Sequence, residues 1–185
     1  MAPFPNIKVM DTLVFVAAFL FGLRVGVGVG AFSWLVYGSW NPYGPVSMIL
    51  LFQIIGETFY ALAGAILRKT SFSDLILKGQ EKLLGGVSGY RVKYLVVLPV
   101  LGFIGLITAL SYDVFTNTAT WFLQLYDPSK NIGAVFFQSF GVGLLTMNFP
   151  FPFGIMHQVS DLLFFAFITP VVVKASSKLD LVLVR

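Results

Sequence analysis

The stretch VSMILLFQIIGETFYALAGAIL, residues 46–67, decides the fold class of this chain. It contains one charged residue, Glu57. A helix of this length extends about 33 Å, which is enough to cross the hydrocarbon core of a bilayer, about 30 Å thick. Further apolar stretches lie at about 10–23, 24–40, 93–125 and 132–173. The pattern predicts an all-α integral membrane protein, a bundle of five to six transmembrane helices in a single domain of residues 1–185.

Composition favours the same class. Hydrophobic residues make up 57% of the chain and charged residues 11%, whereas soluble domains carry about 25% charged residues. Cysteine is absent, which excludes disulfides, thiolate catalysis and thiolate-ligated metal sites. His157 is the sole histidine, and neither a hydrolase motif nor a phosphate-binding loop is present. The sequence therefore predicts no enzyme activity, no cofactor, no metal site and no nucleic-acid binding.

The last apolar stretch is too long for one span. Its Phe-Pro-Phe-Pro-Phe-Gly segment, residues 149–154, must interrupt a helix because Pro150 and Pro152 lack an N–H and clash with the preceding turn. This predicts a helix over 133–147, a non-helical elbow, and a span over 154–173.

Basic residues predict the orientation. Residues 68–93 hold six Lys or Arg against two acids, and the tail after residue 173 holds three against one. Such an excess is typical of cytoplasmic segments of a plasma-membrane protein. The chain then begins outside and makes five crossings, unless a first helix is missing, residues 10–40 form one bent span, or residues 1–23 are a signal peptide. The 68–93 segment is mildly amphipathic, which fits a solvated loop, a surface helix or a docking element.

Small residues recur at helical spacing in two places. Gly22, Gly26 and Gly30 fall on one helix face, and Ala61 and Ala65 form a second small face. Such faces permit close approach of another helix. They predict either packing within the bundle or docking of another membrane subunit.

Ionisable residues inside apolar stretches indicate where function lies, because a charge at bilayer depth costs about 2.5–3.5 kcal/mol on insertion scales. Glu57, Asp113 and Asp161 are such residues. Gln53 shares a helix face with Glu57, and His157 shares one with Asp161. Three structural alternatives remain open: a protonated Glu57 bonded between helices, a local His157–Asp161 pair, and an Asp113 in interfacial water. Aromatic residues near the predicted outer ends, Trp34 and Trp121 among them, fit an interfacial belt or the roof of a pocket.

Two segments resemble a known family. The run FLFGLRVGVGVGA at 19–31, followed by Asn-Pro-Tyr-Gly at 41–44, is similar to the second and third helices of substrate-binding S components of energy-coupling-factor (ECF) transporters. Residues 152–161, PFGIMHQVSD, resemble the start of their last helix. Leu23 stands where the family usually has proline, and the family's first helix has no counterpart here.

The resemblance implies a six-helix subunit that captures a vitamin or similar micronutrient from the outer face. A transmembrane coupling subunit and cytoplasmic ATPases would be its partners. By position, the resemblance places eight residues at the substrate site: Asn41, Gln53, Glu57, Asp113, Asn117, Trp121, His157 and Asp161. A stand-alone permease or channel, and an intramembrane enzyme acting on lipid-like substrates, are the alternatives.

Overall fold

The computed structural model describes residues 7–40, 47–78, 88–148 and 152–178, and all regular structure within these ranges is helical. The elements in chain order are α1 (Val9–Phe21), α2 (Leu23–Trp40), α3 (Ser47–Arg68), α4 (Ser71–Lys78), α5 (Ser88–Leu125), α6 (Ile132–Thr146) and α7 (Phe153–Lys178). The helical class predicted from the sequence is therefore confirmed.

Three segments are long and apolar enough to cross a membrane: Met48–Arg68, Val96–Leu125 and Phe153–Ser176. Helices α1 and α6 are apolar but shorter. The five to six crossings expected from the sequence stay a prediction, because length and composition assign a span to α3, α5 and α7 alone among the described helices.

A tight turn at Gly22 joins α1 to α2. Gly22 has a φ of +97°, a conformation that favours glycine, and its N–H donates to Ala18 O over 2.9 Å. Gly26 then lies against Ala18, and Gly30 lies within van der Waals range of Val14. These contacts make α1 and α2 an antiparallel hairpin, so the alternative of one bent span over residues 10–40 is wrong.

The other long helices also alternate in direction. Gly30 and Gly38 of α2 face Glu57 and Leu50 of α3. Gly105 of α5 lies against Asp161 of α7. Helix α5 begins at Ser88 rather than near residue 93. Arg91 and Lys93, assigned to a loop by the sequence analysis, therefore belong to the first turns of α5.

Helix α4 occupies part of the segment predicted to be a loop. Its Ile76 is 1% exposed, and Phe72, Leu75 and Leu77 pack at the edge of the core. The helix contacts α5 and α7. Residues 71–78 are therefore an amphipathic helix docked on their own chain and not a solvated loop.

The interruption of the last apolar stretch is confirmed. Helix α6 ends at Thr146 and α7 begins at Phe153, while Pro150 lies outside the described residues. Asn148 Oδ1 accepts the N–H of Ile155 over 2.8 Å, and the N–H of Gly154 donates to Met147 O over 3.1 Å. These bonds satisfy orphan donors at the start of α7. The elbow thereby sets where the first turns of α7 enter the bundle.

Candidate functional site

Four helices bring ionisable side chains to one point in the core. Asp11 lies in the first turn of α1, Glu57 halfway along α3, Asp113 within α5, and His157 and Asp161 in the first turns of α7. The five side chains belong to residues that are at most 3% exposed. We call this group the acidic cluster.

His157 is its centre. Its Nδ1 lies 2.7 Å from Asp113 Oδ1, and its Nε2 lies 2.6 Å from Asp11 Oδ2. Asp161 Oδ2 is 3.6 Å from the same Nε2. Each short contact requires a proton between the nitrogen and the oxygen, because an ionised carboxylate can only accept. The imidazole thus ties α1 and α5 to α7 across 146 residues of sequence separation.

Two aromatic donors orient the remaining carboxylates. Tyr60 Oη donates to Asp161 Oδ2 over 2.8 Å, and Trp34 Nε1 donates to Glu57 Oε1 over 2.8 Å. Tyr60 is fully buried and Trp34 is 3% exposed. Each aromatic donor therefore fixes one of the two oxygens of its carboxylate.

Three carboxylate oxygens of the cluster have no hydrogen-bond partner within the described part of the chain: Asp11 Oδ1, Glu57 Oε2 and Asp161 Oδ1. Most buried polar atoms in proteins have a partner, and an orphaned one costs about 1–3 kcal/mol. Asp11 and Glu57 also lie within hydrogen-bonding range of each other, so a proton shared between these two carboxylates would use part of this capacity. Asp161 Oδ1 has no such neighbour among the described residues, and the three oxygens together indicate a site that can accept additional protons or a cation.

The charges of the cluster also indicate a place for additional positive charge. Lys8 Nζ lies 4.8 Å from the centroid of the Tyr112 ring and 5.0 Å from that of Trp34, at the edge of the cluster. Ionised, the four carboxylates outnumber the positive charges of Lys8 and a protonated His157 by two. Isolated buried charges are very unfavourable. The cluster must therefore hold additional protons or a cation.

Four of the eight residues that the sequence assigned to a substrate site meet here: Glu57, Asp113, His157 and Asp161. They contact one another or their neighbours in the cluster and are almost fully buried. The suggestion that Asp113 lies in interfacial water is wrong, since the residue is 3% exposed and α5 continues to Leu125. The local His157–Asp161 pair is one part of a larger group.

Three of the other four lie in the described part of the chain, and none of these three has a hydrogen bond to a side chain of the cluster there. Asn117 Nδ2 donates to the backbone carbonyl of Asp113 within α5. Trp121 Nε1 donates to Thr146 Oγ1 over 2.7 Å and so links α5 to α6. Gln53 is half-buried one turn before Glu57, and Asn41 lies outside the described residues.

Sequence reasoning missed Asp11 altogether. It lies in the apolar stretch 10–23, so the argument that singled out Glu57 applied to it equally. Tyr60, three residues after Glu57 in the sequence, was not among the predicted site residues either. Trp34 was predicted to lie in an interfacial aromatic belt or in the roof of a pocket, and nothing in its sequence context separates these roles from that of a buried hydrogen-bond donor.

The small residues proposed for docking lie mostly inside the chain. Ala61 is fully buried, Gly26 packs on Ala18, and a Cβ on Gly30 would lie 2.8 Å from that of Glu57. Gly22 and Ala65 line a groove of about 370 Å³ between the start of α2 and the end of α3. Docking of a partner at these two residues stays a prediction.

A carboxylate outside the cluster offers a reference for experiments. Asp127 follows α5 and accepts from the backbone N–H of Ser129 over 2.9 Å and from its hydroxyl over 2.8 Å. These two hydrogen bonds, of which the one from the backbone N–H has the larger effect, hold the pKa of Asp127 below its ordinary value. Its side chain has no role in the cluster.

Comparison with known proteins identifies no relative, because family models, curated proteins and solved structures all fail to match this chain. The geometry of the acidic cluster is therefore the best guide to function.

Proposed function

We propose that this chain is an integral membrane protein that captures a small positively charged solute at the acidic cluster, as a step in transport. One observation carries the proposal. Four helices place four carboxylates around one imidazole in the core, and three carboxylate oxygens there have no hydrogen-bond partner among the described residues.

The depth of the cluster supports a transport role. Glu57 lies about 15 Å from either end of α3 at a rise of 1.5 Å per residue, which corresponds to the middle of a bilayer if α3 spans it. Acids at that depth typically mark ion pathways or proton relays. Helices α1 and α7 begin beside the cluster, so their positive N-terminal ends face the carboxylates. Interrupted helices whose ends meet at the midplane are typical of transporter binding sites.

The geometry favours a compact cation over a vitamin-sized solute. The cluster side chains contact one another at 2.6–3.6 Å. A larger molecule would have to separate them, whereas a cation would relieve the repulsion among the carboxylates. If the chain is an S component of an energy-coupling-factor transporter, a coupling subunit and ATPases would supply the energy that drives release of the solute. A stand-alone carrier would release its solute without them.

Proteoliposomes test the binding role. Purified chain, free of other subunits, is reconstituted, exposed to a panel of inorganic and organic cations, washed, and analysed by mass spectrometry for retained cation. We expect retention by the parent and by the matched control Asp127→Asn, and its loss in Glu57→Gln and Asp161→Asn. Equal retention by all four proteins would refute the proposal.

Single-cysteine labelling tests the membrane assignment, and the absence of native cysteine makes it free of background. Ser129 and Lys69 are exposed at opposite ends of the helical bundle. In intact cells an impermeant maleimide should label Ser129→Cys directly and Lys69→Cys only after permeabilisation. Labelling of both in intact cells would contradict the predicted orientation.

A further inference from the structure

We infer that Asp11, His157 and Asp161 form a binding site for one divalent ion of a first-row transition metal. The inference rests on the proposed function and names the class of its solute. One ligand atom from each residue lies within 4.8 Å of the others, and all three residues are fully buried.

The spacing suits coordination after a small movement. Metal–nitrogen and metal–oxygen bonds of about 2.1 Å place neighbouring ligand atoms roughly 3.0–3.4 Å apart. His157 Nε2 is now 2.6 Å from Asp11 Oδ2 and 3.6 Å from Asp161 Oδ2. Shifts below 1 Å would bring both distances into range. The proton that now joins Nε2 to Asp11 would leave as the metal binds.

The surrounding donors and acceptors are arranged as around a metal-binding histidine. Asp113 Oδ1 lies 2.7 Å from Nδ1 and would accept its proton in the metal-bound form, while Nε2 is the nitrogen that faces Asp11 and Asp161. Metal-binding imidazoles usually carry a carboxylate or carbonyl on the second nitrogen, which fixes the tautomer and the ring orientation. Tyr60 Oη donates to Asp161 Oδ2 and so fixes the orientation of that carboxylate.

Unused coordination capacity is an independent observation. Asp11 Oδ1 and Asp161 Oδ1 are buried and have no hydrogen-bond partner in the described ranges. Each of these carboxylates therefore has a second oxygen to offer a metal ion. Glu57 Oε2 is a third buried oxygen that accepts from no ring, amide or hydroxyl donor among the described residues, and the Glu57 and Asp11 carboxylates lie within hydrogen-bonding range of each other. A proton shared by these two carboxylates would have to leave before Asp11 could offer both oxygens to a metal ion. With His157 neutral after the Nε2 proton has left, the four ionised carboxylates would outnumber Lys8 by three, and a divalent ion would offset two of these three charges.

The ligand set selects the class of metal. Imidazole suits zinc, iron, copper and nickel, while carboxylates suit magnesium, calcium and manganese. One imidazole with two carboxylates therefore favours Mn²⁺, Fe²⁺, Co²⁺ or Zn²⁺. Ca²⁺ and Mg²⁺ prefer all-oxygen sites, and the lack of cysteine removes the thiolates that bind soft Cu⁺ best.

The test uses the full chain in detergent. Protein stripped with a chelator is dialysed against Mn²⁺, Zn²⁺ or Mg²⁺, and the bound metal is measured by elemental mass spectrometry. We expect one Mn²⁺ or Zn²⁺ per chain, no stoichiometric Mg²⁺, loss of binding in Asp161→Asn and His157→Gln, and parental binding in Asp127→Asn. Co²⁺ titration of the parent supplies a readout that needs no variant, because bands in the visible spectrum report nitrogen and oxygen coordination.

Two results would overturn the inference: a parent that binds none of these metals, or stoichiometric metal that survives Asp161→Asn with an unchanged Co²⁺ spectrum. The proposed function fails separately. The parent could bind no transition metal but retain an organic cation, or a cation whose binding exchanges for protons. If Glu57→Gln abolishes that retention, the capture role stands and the metal assignment does not. If no cation depends on the cluster, both are wrong.

Discussion

Asp113 offers the sharpest test of how the cluster works, because it touches His157 on the side away from the proposed metal. Its Oδ1 lies 2.7 Å from Nδ1, and its Oδ2 is 3.4 Å from Gln158 Nε2. We expect Asp113 to act as a positioning residue. In Asp113→Ala the Nδ1–H loses its acceptor in a buried site, whereas in Asp113→Asn an amide oxygen can still accept it.

The magnitude follows from the bond that is lost. A hydrogen bond to a charged group contributes about 1.5–3 kcal/mol, which corresponds to about 10- to 150-fold in affinity. Loss of a comparable partner of a metal-binding histidine typically weakens metal affinity by about 10- to 100-fold. We therefore expect Asp113→Ala to raise the Kd for Mn²⁺ or Zn²⁺ by one to two orders of magnitude, and Asp113→Asn to recover part of that loss.

Isothermal titration calorimetry measures the metal Kd of both Asp113 variants. The Co²⁺ spectrum shows whether the set of metal ligands has changed, and so distinguishes a residue that positions His157 from one that binds the metal. The ligand set is unchanged in the Asn variant, so its spectrum should keep the parental band positions. Asn117→Ala is the matched control, because within the described residues the Asn117 side chain bonds to the backbone carbonyl of Asp113 and to no side chain of the cluster. Parental affinity in Asp113→Ala, or shifted bands in Asp113→Asn, would refute this role.

Three further changes probe the scaffold and the rest of the cluster. Gly26→Ala should lower the free energy of unfolding by about 1–3 kcal/mol, because the added Cβ would push α1 away from α2. In the matched change Gly28→Ala the Cβ meets nothing within 4 Å, so denaturant titration should show an unchanged or slightly higher stability. Ile76→Glu should release α4 and raise hydrogen exchange over residues 71–78, because the side chain is buried; unchanged protection would contradict the docking. Trp34→Phe removes the N–H that holds Glu57 and should weaken cation retention, with Tyr37→Phe, an exposed aromatic, as the neutral comparison.

Apolar length and proline chemistry predicted most of the fold. The helix over residues 46–67 and the break before Phe153 follow from local rules. A long apolar run forms a helix that can lie within a bilayer, and a helix interior excludes proline. The hairpin at Gly22 was left open. Its resolution depends on Gly26 meeting Ala18, and contacts between helices have no signature in local spacing.

The candidate site was predicted in part for a similar reason. The cost of burying a charge singles out Glu57, Asp113 and Asp161 one by one. It does not indicate that they converge, or that Asp11 joins them by contacting His157, which lies 146 residues later in the sequence. Residues such as Asn117 and Trp121 were chosen by polarity and position, and they make local contacts within α5 and with α6.

Stability gives no reason to keep such a group. Replacing buried ion pairs by well-packed apolar residues is often neutral or stabilising, by about 1–4 kcal/mol. Here the partners come from four helices, and Asp11, Glu57 and Asp161 each retain an oxygen that accepts from no ring, amide or hydroxyl donor among the described residues. A purely structural network would gain by closing those three positions with hydroxyl or amide donors. An arrangement that keeps them open, around one imidazole with its far nitrogen fixed by Asp113, is instead suited to an occupant that enters and leaves.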